Sequence, residues 1–344
     1  MFEEILKSEP KFRREQIYLA WFDARLKSFG DITTLSKNLR EQIKNEPWIT
    51  VKEKIIQTSK VDGTRKALLE LHDGQTIETV LMLRPSKKDD GEAKLRYTIC
   101  ISSQVGCPMA CSFCATGKLG FKRNLDYREI IDQFRFWQNI LHAEGEGEID
   151  NLVLMGQGEP LLNYDNVKLA LQILIKQAKL GPRKITISSV GIPEKMQQMV
   201  EDKDFPPVRF ALSLHSAITE TRKQLIPSHR PDFFDWLKVW AKKYHIAFPS
   251  RTHFIGLEYT MMKGINDDTK HLKALIKIAS NVGKVRVNLI PYNTACADGL
   301  SATEFDTMKM WQTKLNDCGI VCTIRRSQGQ DIAAACGQLS NKYK

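Results

Sequence analysis

Residues 97–114 read Y-T-I-C-I-S-S-Q-V-G-C-P-M-A-C-S-F-C, an apolar run followed closely by three thiols, Cys107, Cys111 and Cys114, spaced C-x3-C-x2-C. The run from Tyr97 to Ile101 reads as a short buried strand, so the thiols fall on the loop that follows it. Three thiolates on one short loop can hold three corners of a cubane [4Fe-4S] cluster and leave the fourth iron without a protein ligand. A structural zinc site needs a fourth ligand, and no His or Cys stands within a dozen residues after Cys114 to supply it.

Working outward, short apolar runs at 151–155, 184–187, 208–212, 254–259 and 285–290 read as buried parallel strands, with helical patterns at 127–141, 167–178, 233–244 and 269–279 between them. Together with the strand before the thiols they make about six β/α units, which predicts an α/β fold, a partial six-unit relative of the TIM barrel. Ligands of that architecture gather where the strands end. Polar residues stand at those ends: Met155-Gly156-Gln157-Gly158-Glu159-Pro160, Ser188, Ser213-Leu214-His215, and Asn293 after Pro291-Tyr292. Each alone would be read as a cap or a tight turn. Their joint placement with the thiol loop predicts one shared site, and the absence of G-x-G-x-x-G argues against a dinucleotide fold.

Upstream, residues 1–49 are helix-like, with Ile17, Leu19, Ala20, Trp21 and Leu26 at mixed three- and four-residue spacing and Ser36 placed to cap a helix. Segments 51–58, 66–71 and 76–83 are strand-like, separated by Asp62-Gly63 and Asp73-Gly74, both hairpin-turn dipeptides, and 86–92 reads as a charged, exposed linker. The expected domains are therefore 1–49, a helical accessory domain; 50–92, a β-hairpin extension with linker; and 93–344, the core.

Hydrophobic residues make up 42% of the 344, enough for a sizeable core, and no stretch reaches the roughly 18 uncharged apolar residues of a membrane span. The start M-F-E-E-I-L-K-S-E-P has no apolar signal region, and eight cysteines then point to a reducing, cytoplasmic compartment. The 51 Lys and Arg against 40 Asp and Glu give +11, which favours nucleic acid over membrane as a polyanionic partner.

The chain closely resembles the RlmN/Cfr family of radical S-adenosylmethionine (SAM) RNA methyltransferases over essentially its whole length. The strongest pieces are C-I-S-S-Q-V-G-C-P-M-A-C-S-F-C-A-T-G from Cys100, M-G-Q-G-E-P-L-L-N from Met155, S-L-H-S from Ser213 and D-I-A-A-A-C-G-Q-L from Asp331. The resemblance implies a radical SAM barrel with one [4Fe-4S] cluster on Cys107, Cys111 and Cys114, two SAM per turnover, and SAM contacts at Gly158, Glu159, Ser188, Ser213, Leu214, His215 and Asn293. It implies that Cys336 is methylated and delivers the carbon to adenine, that Cys100 is the second mechanistic thiol through a transient Cys100–Cys336 disulfide, and that Glu78 is the general base. A thiolate relay suits this target, because an adenine ring carbon is too poor a nucleophile to attack a methyl sulfonium directly.

Val105 and Pro160-Leu161-Leu162 are similar to the branch that methylates adenine C2; the alternatives are C8 methylation or another RNA. The implied partners are 23S ribosomal RNA, with tRNA as a second candidate, and a flavodoxin-type electron donor to a monomer. Two departures stand out, Pro227-Ser228-His229-Arg230-Pro231 where the family usually reads Pro-Ile-Asn, and Ala333 where aspartate is common. Candidate RNA contacts are Lys37, Arg40, Lys44, Lys118, Lys122, Arg123, Arg325 and Arg326; Cys318 and Cys322 are expected in the core and Cys296 in a polar loop. A non-catalytic zinc protein that binds RNA is the rival of another class, and it leaves Cys336 and the strand-end series unexplained.

Overall fold

A computed structural model describes residues 2–87, 93–250, 253–294 and 299–339. Cys296 and residues 88–92 of the expected linker lie outside the described residues. Ten strands form one mixed sheet in the order β1-β2-β3-β4-β7-β8-β9-β10-β11-β12, and β5 and β6 form a separate pair. The strands are β1 Lys52–Thr58, β2 Arg65–Glu70, β3 Thr76–Lys87, β4 Ala93–Cys100, β5 Gln104–Gly106, β6 Phe121–Asn124, β7 Ile149–Leu154, β8 Ile185–Ser189, β9 Arg209–Ser213, β10 Ile255–Met261, β11 Val285–Pro291 and β12 Cys322–Ile324. From β4 through β12 the main-sheet neighbours are parallel. The helices are α1 Phe2–Ser8, α2 Lys11–Ala20, α3 Lys37–Ile43, α4 Ala115–Lys118, α5 Tyr127–Ala143, α6 Tyr164–Gln177, α7 Pro193–Glu201, α8 Thr219–Leu225, α9 Phe233–Ala247, α10 Thr269–Asn281 and α11 Phe305–Asp317.

The six expected β/α strands are present, followed by a seventh parallel strand, β12, whose three residues are too short for periodicity to register. Gly63 (φ 73°) and Gly74 (φ 76°) take the left-handed conformation that the hairpin turns require. The extension does not stand apart as a module. β3 pairs antiparallel with β4 from Val80↔Cys100 to Lys87↔Ala93, so β1–β3 continue the barrel sheet, and Ser86 and Lys87 belong to β3 rather than to a linker.

Cross-strand pairing lines up Lys66, Val80, Cys100, Val153, Thr186 and Arg209 in one row. Because strand side chains alternate faces, this row and its i±2 neighbours share the inner face. Among the described residues the strands at the two ends of the sheet, β1 and β12, are not paired with each other. Beyond β12 the chain crosses to β3 instead: Arg325 N donates to Leu289 O (2.8 Å), Gln328 Nε2 to Leu83 O (2.8 Å) and Gly329 N to Asp62 Oδ2 (2.9 Å).

The helices of 1–49 pack on α5, which is thereby buried nearly all round. Arg135 reaches from α5 to Trp21 O (2.8 Å) and Trp48 O (2.7 Å), and Asp132 accepts from Thr50 N (2.7 Å). Ser36 Oγ accepts from Leu39 N (3.2 Å), capping α3 as its position predicted. Among the described residues no helix is long and apolar enough to cross a membrane.

Candidate active site

The thiol loop is framed by the β5–β6 pair and by α4. Gly106 holds φ 72°, and a Cβ there would lie 1.8 Å from Gly120 O, so the backbone approach at the mouth of the loop excludes any side chain. Ala110 turns the chain at φ 51° between Cys107 and Cys111, and Cys114 N donates to Cys111 O (3.1 Å). Burial pushes the Cys107 thiol up to about 12, and Cys111 is raised further, with Cys114 and Cys107 adding to the effect of burial. Thiols this hard to ionise inside protein alone suit a cationic metal group, which displaces their protons. Among the described residues no three His, Cys, Asp or Glu side chains converge on a point that could hold a single metal ion. Three thiols on one loop match the donor set of a cubane, in which each thiolate takes a different iron.

Around this loop stands a shell of buried polar groups from the strand ends. Gly158 (φ 103°) packs so closely that a Cβ would meet Gln104 at 2.6 Å. Glu159 accepts from Leu161 N (3.0 Å) and Val190 N (2.9 Å), and burial raises its carboxyl to about 7. Ser188 Oγ and Ser213 Oγ lie 3.1 Å apart. Leu214 is wholly buried, and its backbone N donates to Glu258 O (2.9 Å). His215 (φ 52°) sets its ring tilted against Phe113 of the thiol loop, 4.5 Å between centroids, and accepts from Thr260 N (3.0 Å); burial, then Arg222, lowers it to about 3, so it is neutral. Asn293 Nδ2 donates to Cys336 O (3.2 Å), linking the shell to the second thiol-bearing loop.

Cys336 and Cys100 open into one cavity of about 400 Å³ inside the barrel, with Cys114 on its wall. Cys336 keeps water contact yet is surrounded by protein; burial pushes its thiol up, Arg325 opposes this and Glu258 adds to it. Cys100 is raised by burial first and by Cys336 second. Both thiols are free. Glu78 does not line the cavity: it is wholly buried and ion-paired to Lys66 (2.9 Å), two residues along β3 from Val80, which does line it.

Several residues of the site escaped sequence reasoning. Glu258 is the carboxylate on the cavity wall, held by Asn288 Nδ2 (2.7 Å) and 3.6 Å from Arg325. Its signal was a lone charge inside the apolar run I-G-L-E-Y-T-M. Arg222 is fully buried behind the thiol loop, with Nη1 donating to His229 Nδ1 (2.7 Å), so the departing residue His229 turns inward as a support for Arg222. Arg123 is spoken for by Asp73 (2.6 Å) and Glu129 (2.8 Å), which explains its position without RNA. Cys322 is buried as expected, whereas Cys318 is exposed as the C-cap of α11, on the solvent side of the helix end.

Residues 101–276 match the Radical SAM superfamily, and that segment holds all three cluster-type thiols and the strand-end polar shell up to His215. The chain is 30% identical, with a TM-score of 0.84, to the crystal structure of a radical SAM methyltransferase from Sphaerobacter thermophilus, covering 98% of this chain and 95% of that one. It belongs to the RlmN family. It is 41% identical to the probable dual-specificity RNA methyltransferase RlmN of Thermotoga neapolitana, over 97% of this chain and 92% of that protein. It is 36% identical to the dual-specificity RNA methyltransferase RlmN of Nautilia profundicola, over 97% and 94%.

Proposed function

We propose that this protein is a radical SAM methyltransferase that places a methyl group on C2 of an adenine in RNA, in 23S ribosomal RNA and also in tRNA. The observation that carries the reading is the cavity in which two thiols outside the cluster set meet. Its wall holds Arg84, Arg96, Lys184, Arg209, Arg325 and Arg326 against the single carboxylate Glu258. Arg84 and Arg96 are direct cross-strand partners, a like-charge pairing that a bound anion relieves. A nucleotide drawn out of a structured RNA brings both the base that the thiols act on and the phosphate that such a wall attracts.

The residues divide the work. Cys107, Cys111 and Cys114 hold the cluster, and Gly158, Glu159, Ser188, Ser213, Leu214, His215 and Asn293 surround SAM. Cys336, as thiolate, takes the methyl group from one SAM by displacement, the S–CH3 bond of the cofactor breaking as the new one forms. When bound, the cluster and a second SAM supply a 5′-deoxyadenosyl radical that takes one hydrogen atom from this methyl group, and an acceptor for the electron the adduct gives up. The carbon joins adenine C2 while still bonded to Cys336. Glu78 takes the C2 proton. Cys100 then attacks the Cys336 sulfur; the carbon–sulfur bond breaks as the disulfide forms, and the electron pair left on the product carbon is protonated. A thiol reductant supplies two electrons to reopen the bridge, and a flavodoxin-type donor supplies the electron for SAM cleavage.

The test compares wild type, Cys100→Ala and Cys336→Ala on RNA, with deuterated methionine and authentic 2-methyl- and 8-methyladenosine standards. Wild type gives 2-methyladenosine, Cys100→Ala accumulates a covalent RNA adduct on Cys336, and Cys336→Ala gives neither. Product matching only the 8-methyl standard rejects the C2 assignment; an adduct mapped to another residue overturns the thiol roles.

A further inference from the structure

We propose that Lys66 is a positioning residue for this reaction, holding Glu78 ready as the acceptor of the ring proton and tying it to the loop that carries Cys336. The inference rests on the reading of Glu78 as that acceptor. Lys66 Nζ lies 2.9 Å from Glu78 Oε1 and donates to Ala333 O (3.3 Å), three residues before Cys336. Both side chains are sealed from water, at 1% and 0% exposure. Ala333 holds φ 50°, a left-handed conformation that a non-glycine residue keeps only when its surroundings impose it.

A buried ion pair is a poor device for stability, because apolar residues of similar volume do as well or better, so this pairing calls for another use. Position supplies one. Lys66 stands opposite Val80, which stands opposite Cys100, so base, cation and second thiol occupy neighbouring places on the inner face. The backbone of Glu78 is held as well: Ser102 Oγ donates to Glu78 O (2.7 Å), and Glu78 N donates to Gln157 Oε1 (3.3 Å). The titratable and charged groups on the nearby wall are the thiols of Cys100, Cys114 and Cys336, the carboxylate of Glu258, and the cations Arg84, Arg96, Lys184, Arg209, Arg325 and Arg326. Removing an ammonium from beside a buried carboxylate favours the carboxylate's protonated form, which takes no further proton.

The experiment follows adduct and product on RNA for Lys66→Met, Lys66→Arg, Glu78→Gln and the Lys66→Met/Glu78→Gln double variant at pH 7 and 9, with iron content and thermal unfolding measured for each. Lys66→Met is expected to form product on the order of tenfold more slowly at pH 7 and to accumulate the Cys336 adduct. That adduct drains at pH 9. Glu78→Gln accumulates it at both values, because an amide cannot be deprotonated to a base; since Cys100 is intact in both, draining through Cys100 alone would appear in Glu78→Gln as well. Lys66→Arg recovers most of the rate, and the double variant matches Glu78→Gln. Lys66→Met behaving as wild type at pH 7, a double variant slower than Glu78→Gln by the full Lys66→Met factor, or a folded, iron-replete Lys66→Arg that recovers nothing overturns the inference. Normal product from Glu78→Gln overturns the reading beneath it.

Discussion

Two loops present the essential thiols, and they are held in opposite ways. The loop of Cys107, Cys111 and Cys114 is built mostly from its own neighbourhood, a short β5–β6 pair, two left-handed turns and the first turn of α4. The loop of Cys336 makes little structure of its own and is moored by distant parts of the chain: Asp62 at Gly329, Lys66 at Ala333, Asn293 at Cys336, and Ala115 and Thr116 at Gly337 and Leu339. A locally built loop suits a permanent cofactor. A loop held by many separate, individually weak ties suits the thiol relay proposed for Cys336.

The sharpest way to break this contrast is Cys111→Ala, which is expected to abolish both cluster binding and SAM cleavage, measured as iron content and 5′-deoxyadenosine; retained cleavage would defeat the assignment. Gly106→Ala strikes the same loop through its backbone. With φ 72° and a contact of 1.8 Å to Gly120 O, it should cost about 3 kcal/mol or more and lower iron retention, read by urea unfolding and metal analysis.

In the polar shell around the cluster loop His215 is neutral, where the wall beside Cys336 carries arginines, and pH separates the two. His215 is depressed to about 3 by burial and by Arg222, so the folded state resists its protonation. A lowered histidine contributes stability that is complete above the unfolded value near 6.5 and is lost as pH falls toward 3. Between pH 7 and 5 that loss is about 2 kcal/mol. His215→Asn, which keeps an acceptor for Thr260 N, should remove this part of the acid slope in urea unfolding at the two pH values; an unchanged slope would place the sensitivity elsewhere. The smallest effect is expected from Asp62→Ala, which loses the tie to Gly329 N and costs about 1–2 kcal/mol. It should leave SAM cleavage intact while product falls, so that more 5′-deoxyadenosine is spent per methyl group transferred.

The same contrast explains what could be read in advance. The thiol spacing, the alternation of strands and helices and the strand-end polar residues are local patterns, and they located the thiol loop, the parallel strands and the polar groups gathered at the strand ends. Cys336 and Glu78 came only through resemblance, because nothing in their local sequence says that they approach Cys100 or Lys66. Glu258 and Lys66 depend on register: which residues of a strand face inward is fixed by pairing with the neighbouring strands, and an apolar run buried on both faces leaves no alternation to read. The antiparallel extension was recognised strand by strand, but its continuity with the barrel sheet rests on the long β3–β4 ladder, whose β3 end lies in the segment that reads as a linker.

The crossing of residues 325–329 from β12 to β3 also has a bearing on how the protein is made. These residues follow all ten strands of the main sheet in the chain, while their anchors at Asp62 and Leu83 are among the earlier parts to leave the ribosome. Domains fold during synthesis largely from the amino end, so the barrel can form with one flank still open and its three cluster thiols already in place. An iron–sulfur group delivered at that stage has a lateral route to them. The segment bearing Cys336 follows all ten of those strands in the chain, so its thiol is made after the strands that line the cavity.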